Sequence, residues 1–202
     1  LEEPNSSTLF ILTTSQPDFL PKTILSRTQV IHFEPIQQHS IQQYLVQRYQ
    51  LEEKEALLFS KISDGSITKA TSLFSEDIQQ YRDLVVELLR TILRGGAYRN
   101  KTRGLLAELI EAKNKKQCIT FLQLLLLWLR DAFTASVTNQ TETITNIDQL
   151  ETIQRFGTHY KAANFSEAFR AIELAKRQID GNGNIQLVLL TLCLQLRTYL
   201  KV

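Results

Sequence analysis

Length, composition and charge are those of an ordinary globular protein. The chain has 202 residues, of which 43% are hydrophobic and 22% are charged, and its formal net charge is +2. This length allows one medium domain or two small ones with a real core, and the composition argues against a disordered or membrane-embedded chain. A net charge this small lacks the strongly basic balance typical of nucleic-acid-binding proteins. The overall charge therefore does not indicate a particular class of binding partner.

The first 35 residues differ from the rest because they contain two short β-prone runs. Thr8 to Thr14 and Gln29 to Phe33 have no helical period and are predicted to be strands joined by a short helical crossover. Such a βαβ unit cannot cover both of its faces alone, since parallel strands are normally buried within a larger sheet. We expect the end of an α/β domain. The chain has no methionine and begins at Leu1, so we also expect an N-terminal part before it.

From Pro35 onward the apolar residues follow a helical period. Ile41, Leu45 and Tyr49 are spaced to line one face of a helix. A second helix is predicted over 52–63, and a third is predicted to begin at a Ser66 cap and to run through Phe74. Glycine at position 65 suits the turn between them. These elements predict a three-helix bundle over 36–76.

The remaining residues predict a larger helical region with polar breaks. Asn164 and Glu167 have the spacing of a capping box, the segment 138–143 is the best loop candidate, and 180–184 is a helix breaker. The predicted helices are 77–93, 102–112, 116–135, 147–160, 164–179 and 185–200. The apolar run Leu124 to Leu129 is shorter than the roughly 20 residues that span a bilayer, so we expect a buried helix and no membrane.

The reactive side chains show none of the common catalytic or metal-binding patterns. The chain contains no phosphate loop, nucleophile elbow or zinc-protease helix, and we expect no metal site. We expect His32 to be a satisfied core residue on its strand and His39 and His159 to lie at the surface. Cys118 and Cys193 lie in apolar runs without disulfide or ligand spacing, which predicts buried thiols and favours a reducing, cytoplasmic setting.

The motifs of the first 34 residues resemble a known family. Leu1 to Pro4, Phe10 to Thr14 and Leu20 to Arg27 follow one another in the order found at the end of the AAA+ ATPase domain of bacterial DNA polymerase III clamp loaders. Those subunits carry a leucine-glutamate-glutamate-proline helix end, a sensor-1 strand ending in threonines, and a serine-arginine-cysteine motif. The resemblance covers each of these, with Thr28 in place of the cysteine.

The resemblance implies roles for individual residues. Arg27 would be an arginine finger that reaches the ATP of a neighbouring subunit, and Ser26 would position its loop. Thr13 and Thr14 stand at the sensor-1 position, where a hydroxyl can bind a γ-phosphate or its attacking water. A guanidinium suits the first role because it is planar and always charged. No cofactor is expected in this chain itself, and ATP is expected at the neighbour.

The segment 65–70 decides between two branches of the family. It resembles the lid motif of the ATP-hydrolysing gamma/tau subunits, but Thr68 stands where those carry the sensor-2 arginine. Lys69 would point some 100° away around the helix. This departure favours the non-hydrolysing delta prime branch. The stretches 144–148, 183–187 and 192–197 also resemble the delta prime collar.

The sequence therefore predicts a mainly α chain with the end of an AAA+ α/β domain (1–35), a three-helix lid (36–76) and a helical collar (77–202). The expected function is assembly of the clamp loader within the DNA polymerase III holoenzyme, with Arg27 donated in trans. Expected partners are the gamma/tau and delta subunits and, through the complex, the sliding clamp and primer-template DNA. The fragment itself is not expected to be catalytic. An ATP-hydrolysing gamma/tau subunit and an unrelated helical scaffold are the alternatives.

Overall fold

All regular secondary structure in the described part of the chain is helical. The computed structural model describes residues 8–14, 17, 20–75, 78–94, 98–138 and 143–201, and these contain eleven α-helices and no strand. Contacts divide the chain into two compact units, Leu1–Pro35 and Ile36–Val202, which are described separately. The mainly α fold is as predicted. The further division of the second unit into lid and collar stays a prediction.

The first unit does not contain the two predicted strands. Thr8 to Thr14 and Gln29 to Phe33 are irregular, and Leu9, Ile11 and Phe33 are largely exposed. The β prediction was wrong for a physical reason: a parallel strand obtains its hydrogen bonds and its burial from neighbouring strands. The described residues of this unit offer no such neighbour. Its one described helix, α1, spans Lys22–Leu25.

The second unit contains ten α-helices, and most of their positions were predicted. Their bounds are α2 Gln38–Tyr49, α3 Glu53–Ile62, α4 Ile67–Ser72, α5 Ile78–Leu93, α6 Tyr98–Leu105, α7 Ala107–Ala112, α8 Lys115–Val137, α9 Leu150–His159, α10 Phe165–Asp180 and α11 Ile185–Leu200. Short 3-10 turns lie at Leu73–Ser75 and Ile147–Gln149. The helix predicted over 102–112 is instead two helices, because the backbone leaves helical geometry at Leu106. The loop candidate 138–143 falls largely outside the described residues.

Four helices of this unit begin at a side-chain cap. Ser66, Asn114, Asn164 and Asn184 each accept a hydrogen bond from a backbone N–H in the first turn of the helix that follows. Such caps satisfy donors that have no partner within the helix. The capping box forms only by half, since the Glu167 carboxylate accepts from Arg170 at 2.7 Å. The Asn164 half is as predicted.

Helix α8 is the centre of the second unit. It packs against α3, α5, α9 and α10. Its fully buried side chains include Phe121, Leu122, Leu125 and Leu129. Each such burial contributes roughly 1.5–3 kcal/mol. By length and composition alone α8 could cross a membrane, but 67% of its apolar window is buried inside the protein, as in the core helix of a soluble protein.

A buried carboxylate on α8 fixes the segment that leads to α9. Asp131 is 4% exposed, and its Oδ2 accepts from the backbone N–H groups of Thr145 and Asn146 at 3.1 and 2.9 Å. The Asn146 side chain donates to the same oxygen at 2.8 Å. Arg82 on α5 then donates to Asn146 Oδ1 and, at 2.5 Å, to Asp148. This network joins α5, α8 and the segment before α9.

Replacing Asp131 with alanine should destabilise the second unit strongly. Three buried donors would lose their acceptor, and we expect the free energy of unfolding to fall by roughly 3 kcal/mol. Urea unfolding followed by circular dichroism measures this. Asp148→Ala is the matched control, because its ion pair with Arg82 is 57% exposed on the carboxylate side and should contribute less than about 1 kcal/mol. Equal losses in the two variants would contradict the assigned network.

Candidate functional site

The Ser26-Arg27-Thr28 motif directly follows a one-turn helix. Helix α1 begins after Pro21, whose fixed φ of −55° suits a helix start. The Ser26 N–H donates to the Lys22 carbonyl at 2.9 Å, and the Arg27 N–H donates to the Ile24 carbonyl at 3.1 Å. Arg27 itself is exposed. Local backbone hydrogen bonds therefore place this side chain at the surface of its unit.

The hydroxyls on either side of Arg27 return to the helix. Ser26 Oγ donates to the Thr23 carbonyl at 3.3 Å, and Thr28 Oγ1 donates to the Ile24 carbonyl at 2.9 Å. Carbonyls at the C-terminal end of a helix lack partners from the helix itself. The Thr28 hydroxyl adds a second donor to the Ile24 carbonyl, which also accepts from the Arg27 N–H. Thr28 thus stabilises the turn. A cysteine at this position would make a weaker hydrogen bond, because a thiol is a weak donor. From the sequence alone, Thr28 is only a departure from the family motif, and its hydrogen bond to α1 was not predicted.

The two predicted sensor-1 residues lie in irregular backbone. Thr13 and Thr14 are both exposed and do not end a strand. Their hydroxyls remain chemically suited to a phosphate or a water. Their role at a nucleotide stays a prediction, as do the roles of Ser26 and Arg27.

In the lid motif, Ser66 caps α4 by accepting from the Lys69 N–H at 3.2 Å. Thr68 is exposed on this helix. The Lys69 ammonium lies 2.9 Å from the Asp64 carboxylate, and Gln123 on α8 donates to the same carboxylate oxygen at 2.5 Å. This Asp64 acceptor was not predicted, and neither was Gln123, which is 59 positions away in the sequence.

The histidines and cysteines offer no separate reactive centre. His39 and His159 are at the surface as predicted, but His32 is also exposed, because its predicted strand is absent. Among the described residues no cluster of three or more histidine, cysteine or acidic side chains could hold a metal ion. Cys118 and Cys193 are free and buried, as predicted.

Two family models match this chain. Residues 1–37 match a model described as DNA polymerase III, delta subunit. Residues 67–198, which include helices α4 to α10 and most of α11, match a second model, described as DNA polymerase III, delta subunit, C terminal. The chain belongs to this family. The first match contains the Arg27 motif, so the resemblance inferred from residues 1–34 is confirmed at the level of the family.

Curated relatives identify the part of the family protein that the chain represents. The chain is 26% identical to DNA polymerase III subunit delta' of Bacillus subtilis (strain 168) over 193 residues, which are 92% of this chain and 56% of that protein. It is 30% identical to subunit tau of the same organism over 131 residues, 62% of this chain and 23% of that protein. The chain thus spans about half the length of its delta' relative. No solved structure was found to match.

The longer match and the family models together support a delta-prime-like C-terminal region. This delta-family chain also shares a shorter segment with tau. Neither comparison assigns a role to an individual residue.

The two thiols of this delta-family chain should be unreactive while it is folded. Burial raises the pKa of Cys118 to about 11 and that of Cys193 to about 12, from an ordinary value of 9.0. At pH 8 both groups are therefore protonated, and only a thiolate attacks a disulfide reagent. We expect an aromatic disulfide reagent to label neither thiol at pH 8 and both in urea. Rapid labelling of the folded chain would contradict this burial.

Proposed function

We propose that the protein is a clamp-loader subunit of the delta prime type, which assembles with the other loader subunits and donates Arg27 to an ATP site on a neighbour. The observation that carries the proposal is the exposed Arg27, held just beyond α1 within a segment that matches the delta-subunit family. Through the complex the protein would act on the sliding clamp and primer-template DNA, in the cytoplasm. The gamma/tau and delta subunits would be its partners.

The chemistry of Arg27 fits a role in trans. Phosphoryl transfer is accelerated mainly by positioning and by stabilising charge on the phosphoryl oxygens, and an arginine from outside a site can supply that stabilisation. The hydroxyls of Ser26 and Thr28 hold the backbone on either side of Arg27. The long arginine side chain is then the part that moves toward the phosphate. Ser26 acts in this scheme as a positioning residue.

The lid argues against the alternative of an ATP-hydrolysing gamma/tau subunit, which the similarity to tau raises. Thr68 has no charge to offer a phosphate. Lys69 is engaged by Asp64 at 2.9 Å, and Asp64 is in turn held by Gln123. Moving the lysine to a nucleotide would break this ion pair. The sensor-1 threonines, Thr13 and Thr14, can bind a phosphate oxygen but do not make a nucleotide site on their own, so we assign ATP to the neighbour.

The surface of α11 supports a role in assembly. Leu187 is 67% exposed and Leu194, two turns further on, is 45% exposed. The only charged residue of α11 is Arg197, whose guanidinium donates to the backbone carbonyls of Ile92 and Arg94. An exposed helix face with leucines and no outward charge is typical of surfaces that pack against another protein. We assign this face to contacts with other loader subunits.

Substituting Arg27 with alanine should impair ATP hydrolysis by the loader. In the full-length protein, reconstituted with its partner subunits, the site that receives the arginine should slow by about a thousandfold, as for other arginine fingers. The loader's total DNA-dependent ATPase rate should then fall in part, because the other sites are unaffected. Arg27→Lys should not restore the rate, since lysine lacks the planar fork.

Lys22→Ala is the matched control, because Lys22 is another exposed cation, on the helix that precedes Arg27. It should leave both assembly and ATPase activity unchanged. An Arg27→Ala loader that assembles and hydrolyses ATP at the normal rate would disprove the finger.

Placing carboxylates on the α11 face should prevent assembly without unfolding the chain. We expect Leu187→Glu with Leu194→Glu to abolish co-elution with the other loader subunits, because two buried, unpaired charges would oppose the interface. The melting temperature should stay close to that of the natural chain. Gln154→Glu with Thr158→Glu adds the same charge to exposed positions on α9, and it should assemble normally. Assembly of the α11 variant would reject this surface.

A further inference from the structure

A small apolar pocket lies where α5, α8 and α9 meet. Its volume is about 160 Å³, well below the roughly 300 Å³ at which small-molecule sites begin, so it suits a single side chain. Arg90 on α5 and Arg94, directly after the end of α5, also line it. The apolar lining consists of Val86, Leu89, Leu93, Trp128, Phe156 and Tyr160.

Basic residues are concentrated in the sequence around Arg90 and Arg94. Residues 88–107 contain five arginines and lysines and no acidic residue. The guanidinium of Arg197 donates to the Arg94 carbonyl at 2.9 Å and lies 4.3 Å from the centre of the Tyr98 ring. Glu87, on the preceding turn of α5, is bound by Lys101 at 3.1 Å. That bond lowers the pKa of Glu87, and the charges of Arg90 and Arg94 lower it further. An approaching anion would therefore be attracted to this end of α5.

The rings in the pocket are already packed against one another. The centres of Trp128 and Phe156 are 5.0 Å apart at 85°, and those of Phe156 and Tyr160 are 4.6 Å apart. Trp128 is only 2% exposed. Sites that bind single-stranded nucleic acid present aromatic faces on which bases stack. A pocket with a covered tryptophan and aliphatic walls from α5 instead favours an aliphatic side chain.

We propose that this pocket binds an acidic peptide segment of a partner protein, with one apolar side chain in the pocket and its neighbouring carboxylates on Arg90 and Arg94. Guanidinium groups bind carboxylates through paired, charge-assisted hydrogen bonds. An apolar anchor in a desolvated pocket with charged groups around it is the usual anatomy of a protein-binding hot spot. This proposal does not depend on the function proposed for Arg27 or for the α11 face.

Selection from a phage-displayed library of random peptides on the 202-residue chain tests the proposal. We expect the enriched peptides to share one leucine-like residue with aspartate or glutamate on both sides. Labelled synthetic copies should bind the chain in fluorescence anisotropy. Replacing their apolar residue with serine should weaken binding by about tenfold or more, the effect of losing roughly 1.4 kcal/mol. Enrichment of peptides without acidic residues, or no enrichment at all, would overturn the proposal.

Variants of the chain locate the binding site. Arg90→Glu and Arg94→Glu should each weaken the selected peptides by about tenfold or more, as when a charge-assisted hydrogen bond is lost. Thr152→Phe places a ring at the pocket wall, to which Thr152 contributes, and it should weaken binding with all the arginines present. Circular dichroism melting shows whether each variant is folded. A folded Thr152→Phe chain that binds normally would reject the anchor pocket.

Arg48→Glu is the matched control, because it makes the same change in charge at an exposed position of α2, a helix that does not line the pocket. It should leave peptide binding unchanged. If Arg48→Glu weakened peptide binding as much as Arg90→Glu does, the effect would come from the net charge of the chain, and the proposed site would be rejected. Labelled oligothymidine is the second control. Binding of oligothymidine tighter than that of the peptides, lost in Arg90→Glu, would assign the surface to nucleic acid and reject the peptide.

Discussion

The helical unit depends on the burial of α8 and on the polar side chains that this helix carries into the core. Its leucines and Phe121 provide the apolar contacts with the surrounding helices. Three of its buried polar residues each hold a different connecting segment: Gln123 donates to Asp64 at the α3–α4 turn, Trp128 donates to Gln149 before α9, and Asp131 accepts from the segment at 145–146. A buried polar group is costly unless it is hydrogen-bonded, so these bonds restrict which turns the helix can lie beside. The close approach of α9 adds to this restriction, because a Cβ on Gly157 would come within 2.6 Å of the Ala132 carbonyl oxygen.

Some segments of the first unit form from hydrogen bonds between residues near in sequence, whereas others require partners that are distant in sequence. The turn that carries Arg27 is made by hydrogen bonds between residues three or four positions apart, so this segment can form it without a sheet beside it. The β-prone runs on either side need partners that are distant in sequence. Leu9, Ile11 and Phe33 therefore remain exposed, although their sequence favours strands. Propensity for a strand describes how a residue fits a pleated, partly buried surface, and it does not supply that surface.

The same distinction explains what could be predicted from the sequence. The positions of α2, α3, α8, α10 and α11 followed from apolar periodicity and from caps such as Ser66 and Asn164, which act within one turn. The division between α6 and α7 at Leu106 was missed, because apolar residues continue across it and an isolated glycine such as Gly104 is tolerated within a helix. The Arg27 motif could be found only through its resemblance to a family, since an isolated exposed arginine carries no specific signal. The Asp131 and Gln123 contacts join residues far apart in the chain, so no short sequence motif predicts them.

The Lys69–Asp64 ion pair is relevant to the proposal that this subunit supplies an arginine to a neighbour's ATP site. Asp64 has a positive φ of 49° and precedes Gly65, so its carboxylate is placed by a turn rather than by a helix face. In that position it accepts from both Lys69 and Gln123. The pair lies at the surface, since the side chains of Lys69 and Asp64 are 31% and 58% exposed, and separating it would leave the carboxylate with the bond from Gln123. Lys69 is thus engaged within its own segment. A lysine held in this way agrees with the proposal made above, in which this subunit does not use Lys69 at a nucleotide of its own.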